Sequence, residues 1–238
     1  MAGKVYMAEL KVIRSELGGF QTNCYIVANE QTGEAIVIDP SWNANYIYNT
    51  LKKNEYTCVG IYLTHGHVDH MAAMGDLKKL TGADTYASED EKEVLGNSRV
   101  NLSAMMTSVF EKVIETETDH YLSDGSVKKL LGTEMSCISV SGHTRGGMCY
   151  YFESENILFS GDTLFKYSVG RSDFPTGDEH ALLENIREKL FVLPDDTVVY
   201  PGHDNTYKKR EEDESVLLMG GSWWKYDITD TEYRRLQQ

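Results

Sequence analysis

Three histidines and one aspartate lie within residues 65–70, and their types and spacing could bind a metal ion. Alternate residues of an extended segment point to the same side, so His65 and His67 can bind one ion. A turn after them can direct Asp69 and His70 to a neighbouring point. Imidazole and carboxylate groups suit zinc, iron or manganese, so this cluster predicts a metal site.

The elements on either side predict that the cluster lies on a turn between a strand and a helix. Residues 58–63 are apolar, β-branched and aromatic, as in a buried strand. Apolar residues then recur at near-helical spacing from Met71 to Leu80, and Gly82 follows as an expected helix end. Rigid elements on both sides can aim the side chains of the turn at one place.

Three later sites share one pattern, in which an apolar run ends in a glycine-containing turn with a ligand-type residue. They hold His143 in Ser-Gly-His-Thr, Asp162 in Ser-Gly-Asp-Thr and His203 in Pro-Gly-His. Glycine lets the backbone turn sharply and approach its neighbours closely. Together with the first cluster, these sites supply five histidines and two aspartates, enough ligands for two ions.

In this order and spacing, the motifs resemble those of the metallo-β-lactamase superfamily over residues 23–203. The resemblance implies an α/β fold, an αββα four-layer sandwich of two mixed β-sheets flanked by helices, with the metals at the sheet edge. It also implies a binuclear site with two divalent ions, zinc being the first choice and iron or manganese the alternatives. The implied ligands are His65, His67 and His143 for one ion, Asp69, His70 and His203 for the other, and Asp162 between them.

A further stretch resembles one branch of that superfamily, the hydroxyacylglutathione hydrolases (glyoxalase II). It comprises residues 161–165 and 169–175, and it includes Arg171, which could bind a substrate anion or pair at the surface. Only 35 residues follow His203, so we expect the C-terminal glutathione-binding domain of glyoxalase II to be missing. The chain is therefore similar to short, glyoxalase II-like hydrolases, and the thiol half of the substrate stays open.

The function implied by this resemblance is hydrolysis of a small thioester by a metal-bound hydroxide, with Asp69 and Asp162 as catalytic carboxylates. Two divalent cations outweigh two carboxylates and a hydroxide, which favours an anionic transition state. A thiolate leaves readily, so no strong general acid is needed. The alternative is a persulfide dioxygenase on the same fold, with one iron held by two histidines and a carboxylate.

The composition and charge of the chain indicate which kinds of partner and which cellular compartment to expect. The net charge of −14 argues against nucleic acid or an anionic membrane as a partner, because both attract basic surfaces. The N-terminal residues carry charges throughout and lack the apolar run of an export signal, and the four cysteines have no CxxC spacing. We expect a cytoplasmic enzyme whose partner is a small molecule, an anionic acyl thioester. The sequence leaves the oligomeric state open.

Domain organisation is expected to be simple, because no linker rich in Pro, Gly or Ser divides the chain. We expect one metallo-β-lactamase-fold domain over residues 1–238. Its last part is predicted to be a charged helix from Asn205 to Leu218, followed by an aromatic tail from Gly220. The tail is expected to dock on the domain, with partner binding as the alternative.

Local patterns predict several other elements. Strands are expected over residues 23–28 and 34–39, around a hairpin loop. Ser41 is expected to cap the helix that follows. Thr176 and Glu179 have the spacing of a capping box at the start of another helix.

Other positions are harder to interpret from sequence. Residues 96–122 could form a flap near the site or a covering helix, and covering is favoured. Asp39 and Asn23 could each form a turn or bind a metal-binding histidine through a hydrogen bond, and for Asp39 we expect the second. His120 and His180 are expected at the surface.

Overall fold

The computed structural model describes residues 10–166 and 168–208, which form two six-stranded β-sheets and a two-stranded ribbon. In the first sheet the spatial order of the strands follows the chain: β1 (Leu10–Leu17), β2 (Thr22–Asn29), β3 (Glu34–Ile38), β4 (Thr57–Tyr62), β5 (Thr85–Ser88) and β6 (His120–Leu122). Strands β1 to β3 are antiparallel, whereas β3 to β6 are parallel.

The second sheet is also mixed. The remaining strands are β7 (Val127–Leu130), β8 (Thr133–Ser139), β9 (Met148–Phe152), β10 (Ile157–Gly161), β11 (Leu164–Phe165), β12 (Ser168–Val169), β13 (Val198–Pro201) and β14 (Tyr207–Lys208). The sheet has the order β14-β13-β10-β9-β8-β7, and β11 pairs with β12 in the ribbon. Only β10 and β13 are parallel among its neighbours, so their carboxyl ends meet at one edge.

The helices of the described residues connect these strands. They are α1 (Ala44–Lys53), α2 (Val68–Met71), α3 (Met74–Thr81), α4 (Lys92–Leu95), α5 (Thr107–Phe110) and α6 (Glu179–Asn185), the last continued by a π-helical turn over Ile186–Leu190. None of these helices is long and apolar enough to cross a membrane.

The alternation of side chains along β2 shows how the layers pack. Tyr25 and Val27 face the second sheet and join a buried cluster with Phe159. Ile26 faces the opposite way and packs in another cluster with Ile47 of α1. All eight residues of β2 are buried because both faces of the first sheet are covered.

The outer face of the second sheet is covered in the same way by α6. Leu182 and Ile186 pack against Cys149, Leu158 and Val199 of that sheet. The layers therefore run helix, sheet, sheet, helix. This confirms the predicted αββα sandwich of two mixed sheets.

The helix predicted after the histidine cluster is divided in two. Its start was expected at Met71, but α2 ends there and α3 begins at Met74. The N–H group of Ala73 donates to the carbonyl oxygen of Pro40 at 2.9 Å instead of continuing the helix. Gly82 ends α3 as predicted, with a φ of 72°.

Two predicted helix caps are wrong by two residues. Asn43 caps α1 by accepting from the N–H of Tyr46, whereas Ser41 is buried before the helix. Asp178 caps α6 by accepting from the N–H of Ala181 at 3.0 Å. Thr176 instead accepts from the N–H of Arg145, 31 residues earlier.

The terminal helix predicted from Asn205 does not begin there. Tyr207–Lys208 form β14, which pairs antiparallel with β13, because this segment completes the edge of the second sheet. The rest of that predicted helix and the aromatic tail from Gly220 lie outside the described residues. The single domain over residues 1–238 stays a prediction.

Candidate metal centre

The loop that carries the first histidines is held between β4 and α2. The N–H of Leu63 donates to the carbonyl oxygen of Tyr86, and the N–H of Val68 donates to that of Asn101, both at 2.9 Å. These bonds secure both ends of the loop to neighbouring segments. The side chains of the loop are thereby directed to the edge of the sandwich.

The other ligand-type residues follow strands that end at the same edge. His143 follows β8, Asp162 follows β10 and His203 follows β13. Gly161 has a φ of 52°, and a Cβ atom there would collide with the Thr64 hydroxyl. Glycine at this position therefore brings the Asp162 loop close to the histidine loop, as the Gly-containing motifs predicted.

Three histidines form the first part of the cluster. The Nδ1 atom of His67 lies 3.1 Å from Nε2 of His65 and 3.0 Å from Nε2 of His143. All three side chains are buried. Their ligand nitrogens lie within 4.8 Å of one another, so they could hold one ion.

The second part combines carboxylates with two further histidines. Nε2 of His203 lies 3.3 Å from Asp69 Oδ2 and 3.5 Å from Asp162 Oδ2. Nε2 of His70 lies 3.6 Å from Asp69 Oδ2 and 3.3 Å from Asp162 Oδ1. Asp69, His70 and His203 form one possible metal-binding group, and His65, His70 and Asp162 form another.

Asp162 lies between the two parts of the cluster. Its Oδ2 atom is 3.6 Å from Nε2 of His143 and 3.5 Å from Nε2 of His203. The structure therefore brings together all seven residues that the sequence motifs singled out as ligands: His65, His67, Asp69, His70, His143, Asp162 and His203.

The donor atoms of this cluster fit a divalent cation. His65 Nδ1 donates to the Thr64 hydroxyl and His143 Nδ1 donates to the Arg171 carbonyl, so the Nε2 atoms of both rings are acceptors that face the centre. Within the described part of the chain, His70 Nε2 and Asp162 Oδ1 are buried without a hydrogen-bond partner. Buried polar atoms without partners are costly, and a cation would satisfy both of them once His70 has lost its second proton.

The charge states of the histidines differ between the two parts of the cluster. Burial and the neighbouring His143 lower the pKa of His67 to about 3, which leaves a neutral imidazole, the form that binds metals. Burial opposes ionisation of Asp162, but the charges of His70 and His203 outweigh it and hold its pKa well below the ordinary value. Burial likewise opposes the charge on His203, but Asp162 and Asp69 raise its pKa to about 10, so His203 would release a proton on binding a metal.

The sequence of the chain matches one protein family over most of its length. Residues 17–203 match the family model of the metallo-β-lactamase superfamily. The chain belongs to this superfamily.

Three relatives of this metallo-β-lactamase superfamily member are similar to it over most of its length. The chain is 37% identical to an uncharacterized protein of Aquifex aeolicus. The matched 194 residues cover 82% of this chain and 89% of the relative. The chain is 28% identical to the probable metallo-hydrolase YqgX of Bacillus subtilis, over 90% of this chain and 100% of the relative. It is 30% identical to hydroxyacylglutathione hydrolase GloC of Haemophilus influenzae, over 77% of this chain and 86% of the relative. These findings support a metal-dependent hydrolase.

Solved structures show the same fold. The crystal structure of the BLEG-1 B3 metallo-beta-lactamase has a TM-score of 0.80 and 30% identity, and covers 90% of this chain and 99% of that one. The crystal structure of TTHA1623 in a di-iron-bound form has a TM-score of 0.74 and 25% identity, and covers 89% of this chain and 100% of that one.

Two residues that orient this centre, Thr22 and Phe20, were not singled out by the sequence. Thr22 donates its hydroxyl to Asp69 Oδ2 at 3.1 Å, and the carbonyl oxygen of Phe20 accepts from His203 Nδ1 at 3.1 Å. Asn23 bonds beside a histidine rather than to one: its side-chain amide donates to the carbonyl oxygens of Pro201 and Asp204, on either side of His203. These contacts join positions more than 40 residues apart, so no local pattern could reveal them.

Arg171 lies at the margin of the centre rather than in it. Its guanidinium pairs with the carboxylate of Asp173 at 2.7 Å and lies 3.9 Å above the ring of Phe174. The Phe174 ring in turn packs edge-on against the ring of His67. The Arg171 side chain is 57% exposed, so it is accessible to a substrate.

An aromatic cluster borders the side of the centre near Asp69. The ring of Phe110 stacks on Phe20 and packs against Trp42. These three rings and Asp69 line a shared small space. The far side of Trp42 and Phe110 borders a cleft of about 430 Å³. The covering helix favoured for residues 96–122 does not form: apart from the short α5 and β6 the segment is irregular, and Phe110 brings it to the side of the centre near Asp69.

The two remaining histidines of the chain lie away from the centre. His120 is exposed and lies 3.0 Å from Asp84, and His180 is exposed near Glu184. Both lie at the surface, as predicted.

Proposed function

We propose that this protein is a two-metal hydrolase of small, anionic acyl thioesters, of the glyoxalase II type. The observation that carries the proposal is the set of three overlapping metal-binding groups, which offers more ligands than one tetrahedral ion uses. The relative named hydroxyacylglutathione hydrolase supports the substrate class. The similar structure of TTHA1623 in a di-iron-bound form supports the number of ions.

We assign the ligands in two sets that share one carboxylate. One ion would be held by His65, His67 and His143, the other by Asp69, His70 and His203, and Asp162 would contact both. When bound, such ions lower the pKa of a coordinated water and polarise a carbonyl oxygen. Zinc suits these ligands best, and iron or manganese could replace it.

The chain's own residues would orient the reactants. The Asp69 carboxylate is partly accessible and is held by the Thr22 hydroxyl, so it can accept a hydrogen bond from the attacking water. Arg171 would bind the carboxylate of the acyl group. The exposed ring of Phe20 would contact the apolar part of the substrate. The leaving thiolate is stable at neutral pH and needs no strong acid from the protein.

We also propose that the protein works in the cytoplasm. All four cysteines are free thiols, and Cys24, Cys137 and Cys149 are buried. Burial raises the pKa of Cys24 and Cys149, so these thiols stay unreactive. Free, unreactive thiols are typical of proteins in a reducing compartment.

The deciding assay compares three substrates with zinc-loaded and iron-loaded protein. S-Lactoylglutathione is supplied under nitrogen, glutathione persulfide under air, and a chromogenic β-lactam separately. Thiol release from the thioester without oxygen, and no oxygen uptake with the persulfide, is the expected result. Oxygen uptake without thioester cleavage would establish the dioxygenase instead, and β-lactam hydrolysis alone would establish a lactamase.

The number of ions has its own test. The His203→Ala variant should lose about one equivalent of metal and keep the other, since His65, His67 and His143 remain intact. Elemental analysis of wild-type and variant protein after metal loading measures this. His180→Ala, which removes an exposed histidine, is the control. Wild-type protein that never exceeds one ion per chain would refute the two-metal assignment.

A further inference from the structure

Glu91 is a buried acid that the proposed reaction does not use. It ends the short 3₁₀ turn after β5, and its side chain is fully shielded from solvent. Its Oε2 atom accepts from the N–H of Gly66 at 2.7 Å. Its Oε1 atom accepts from the N–H of Gly146 at 2.8 Å and from the Thr144 hydroxyl at 2.5 Å.

These contacts join the two loops that carry the first three histidines. Gly66 lies between His65 and His67, and Thr144 follows His143 directly. One carboxylate therefore spans both loops and ties them to the turn after β5. The distance between His67 and His143 depends on how these two loops are held together.

The backbone of both loops is shaped around this acid. A Cβ atom at Gly66 would lie 2.8 Å from Glu91 Oε2, and one at Gly146 would lie 2.5 Å from the Glu91 nitrogen. Either atom would push Glu91 away, so both positions require glycine. The glycine of the His-Gly-His motif thus makes room for this carboxylate.

The hydrogen bonds of Glu91 match its ionised form. Burial raises its pKa, while the Thr144 hydroxyl and the N–H groups of Gly146 and Gly66 oppose that rise. All three contacts donate to the carboxylate. A neutral amide in its place would set an NH₂ group against at least one backbone N–H, whichever way it turned.

We propose that Glu91 is a positioning residue that sets the spacing of the His65–His67 loop and the His143 loop, and thereby the metal affinity of that three-histidine site. The inference rests on the proposed metal site, but it does not depend on the thioester as substrate. Residues that orient ligands in this way commonly change metal affinity by 10- to 100-fold when they are replaced.

The test is metal binding by Glu91→Gln, measured by competition with a chelator. We expect one of the two ions to bind about 10- to 100-fold more weakly and the other to keep its affinity. The visible spectrum of cobalt-loaded protein should change as well, because it depends on the geometry of the ligands. The melting temperature of the metal-free variant reports any general loss of stability.

Glu93→Gln is the matched control. Glu93 pairs with the exposed side chain of Arg145 and so links the same two segments, but it does not bond to the loop backbone beside a histidine. It should bind both ions with wild-type affinity. If Glu91→Gln does not fold, Thr144→Val removes one donor and should weaken the same ion in the same direction, by a smaller factor.

Two results would overturn the inference. One is unchanged affinity for both ions in Glu91→Gln or Thr144→Val, with only a lower melting temperature. The other is an equal loss of affinity for both ions, since that would indicate a general effect on folding. A wild-type protein that binds two ions but cleaves no thioester would refute the proposed function and leave this inference standing.

Discussion

The Oδ2 atom of Asp39 lies 2.9 Å from Nδ1 of His70, and both side chains are buried. Asp39 also accepts from the backbone N–H and the hydroxyl of Thr64, each at 2.7 Å. Because Nδ1 of His70 donates to this carboxylate, Nε2 is the nitrogen that faces the centre and that would bind a metal once it is deprotonated. The expected hydrogen bond between Asp39 and a ligand-type histidine is thus present, and it fixes the tautomer of that ring.

Asp39→Asn should weaken metal binding by about 10- to 100-fold. The new amide can still accept from the N–H of Thr64, but its NH₂ group then faces His70 Nδ1. His70 would have to move its proton to Nε2, the atom that faces the centre. Metal affinity measured by chelator competition, together with turnover, checks this.

A surface pair provides the control for that variant. Asp84 contacts His120 at 3.0 Å, with both side chains about half exposed. Asp84→Asn should leave metal affinity and turnover unchanged. Equal metal affinity in the Asp39→Asn variant and the wild type would show that Asp39 does not control His70.

Asp162→Ala should impair both ions, because its carboxylate lies between the two parts of the cluster. A shared carboxylate binds two cations and also reduces their mutual repulsion. We expect less than one equivalent of bound metal and a loss of turnover of about 100-fold or more. Elemental analysis and kinetics check this, with Asp124→Ala, an exposed acid paired to Lys189, as the control. Full metal content in Asp162→Ala would exclude the shared-ligand role.

Arg171→Ala should raise the KM for an anionic acyl thioester by about tenfold and leave kcat nearly unchanged, if the guanidinium binds substrate and transition state equally. A thioester with a neutral acyl group should show no such change. Asp173→Ala should have the opposite effect, because it removes the carboxylate that now pairs with Arg171. Arg145→Ala is the matched control. An unchanged KM for the anionic substrate in Arg171→Ala would remove Arg171 from the site.

The stability of the metal-free protein should fall as the pH rises from about 6.5 to about 10. His203 has its pKa raised to about 10 in the folded protein, so between these values the folded state holds a proton that the unfolded state has lost. The expected slope is up to about 1.4 kcal/mol per pH unit for each such proton.

Thermal unfolding of chelator-treated protein across this pH range measures the effect. His203→Gln should show a flatter profile, with the remaining slope due to His70, whose pKa is also raised by the nearby aspartates despite its burial. A wild-type melting temperature that does not change with pH in this range would contradict the prediction.

Individual strands and helices and the ligand-type residues could be predicted from the sequence because their signals are local, whereas the layering of the sheets was implied by the family resemblance of the motifs. Strands such as β2 and β10 are apolar runs, and the helix faces of α1 and α6 repeat at helical spacing. The ligand-type residues stand directly after strands, in turns with glycine, and their motifs are specific to one superfamily. Each of these signals spans a few neighbouring residues.

Other features depended on contacts between distant segments and could not be predicted in this way. The helix after the histidine cluster is interrupted because the N–H of Ala73 bonds to the Pro40 carbonyl. The caps of α1 and α6 shift by two residues, and β14 forms where a helix was predicted, because pairing with β13 satisfies that backbone. In each case a long-range partner competes with the local preference.

The sequence by itself determined which side chains could bind metal and, through the family resemblance of its motifs, the layered sheets that carry them. The tertiary structure decided how those side chains are aimed. Asp39 orients His70 from 31 residues away, and Glu91 joins two histidine loops from 25 and 55 residues away. A hydrogen bond between distant residues leaves no pattern in either segment, so only the folded chain reveals these partners.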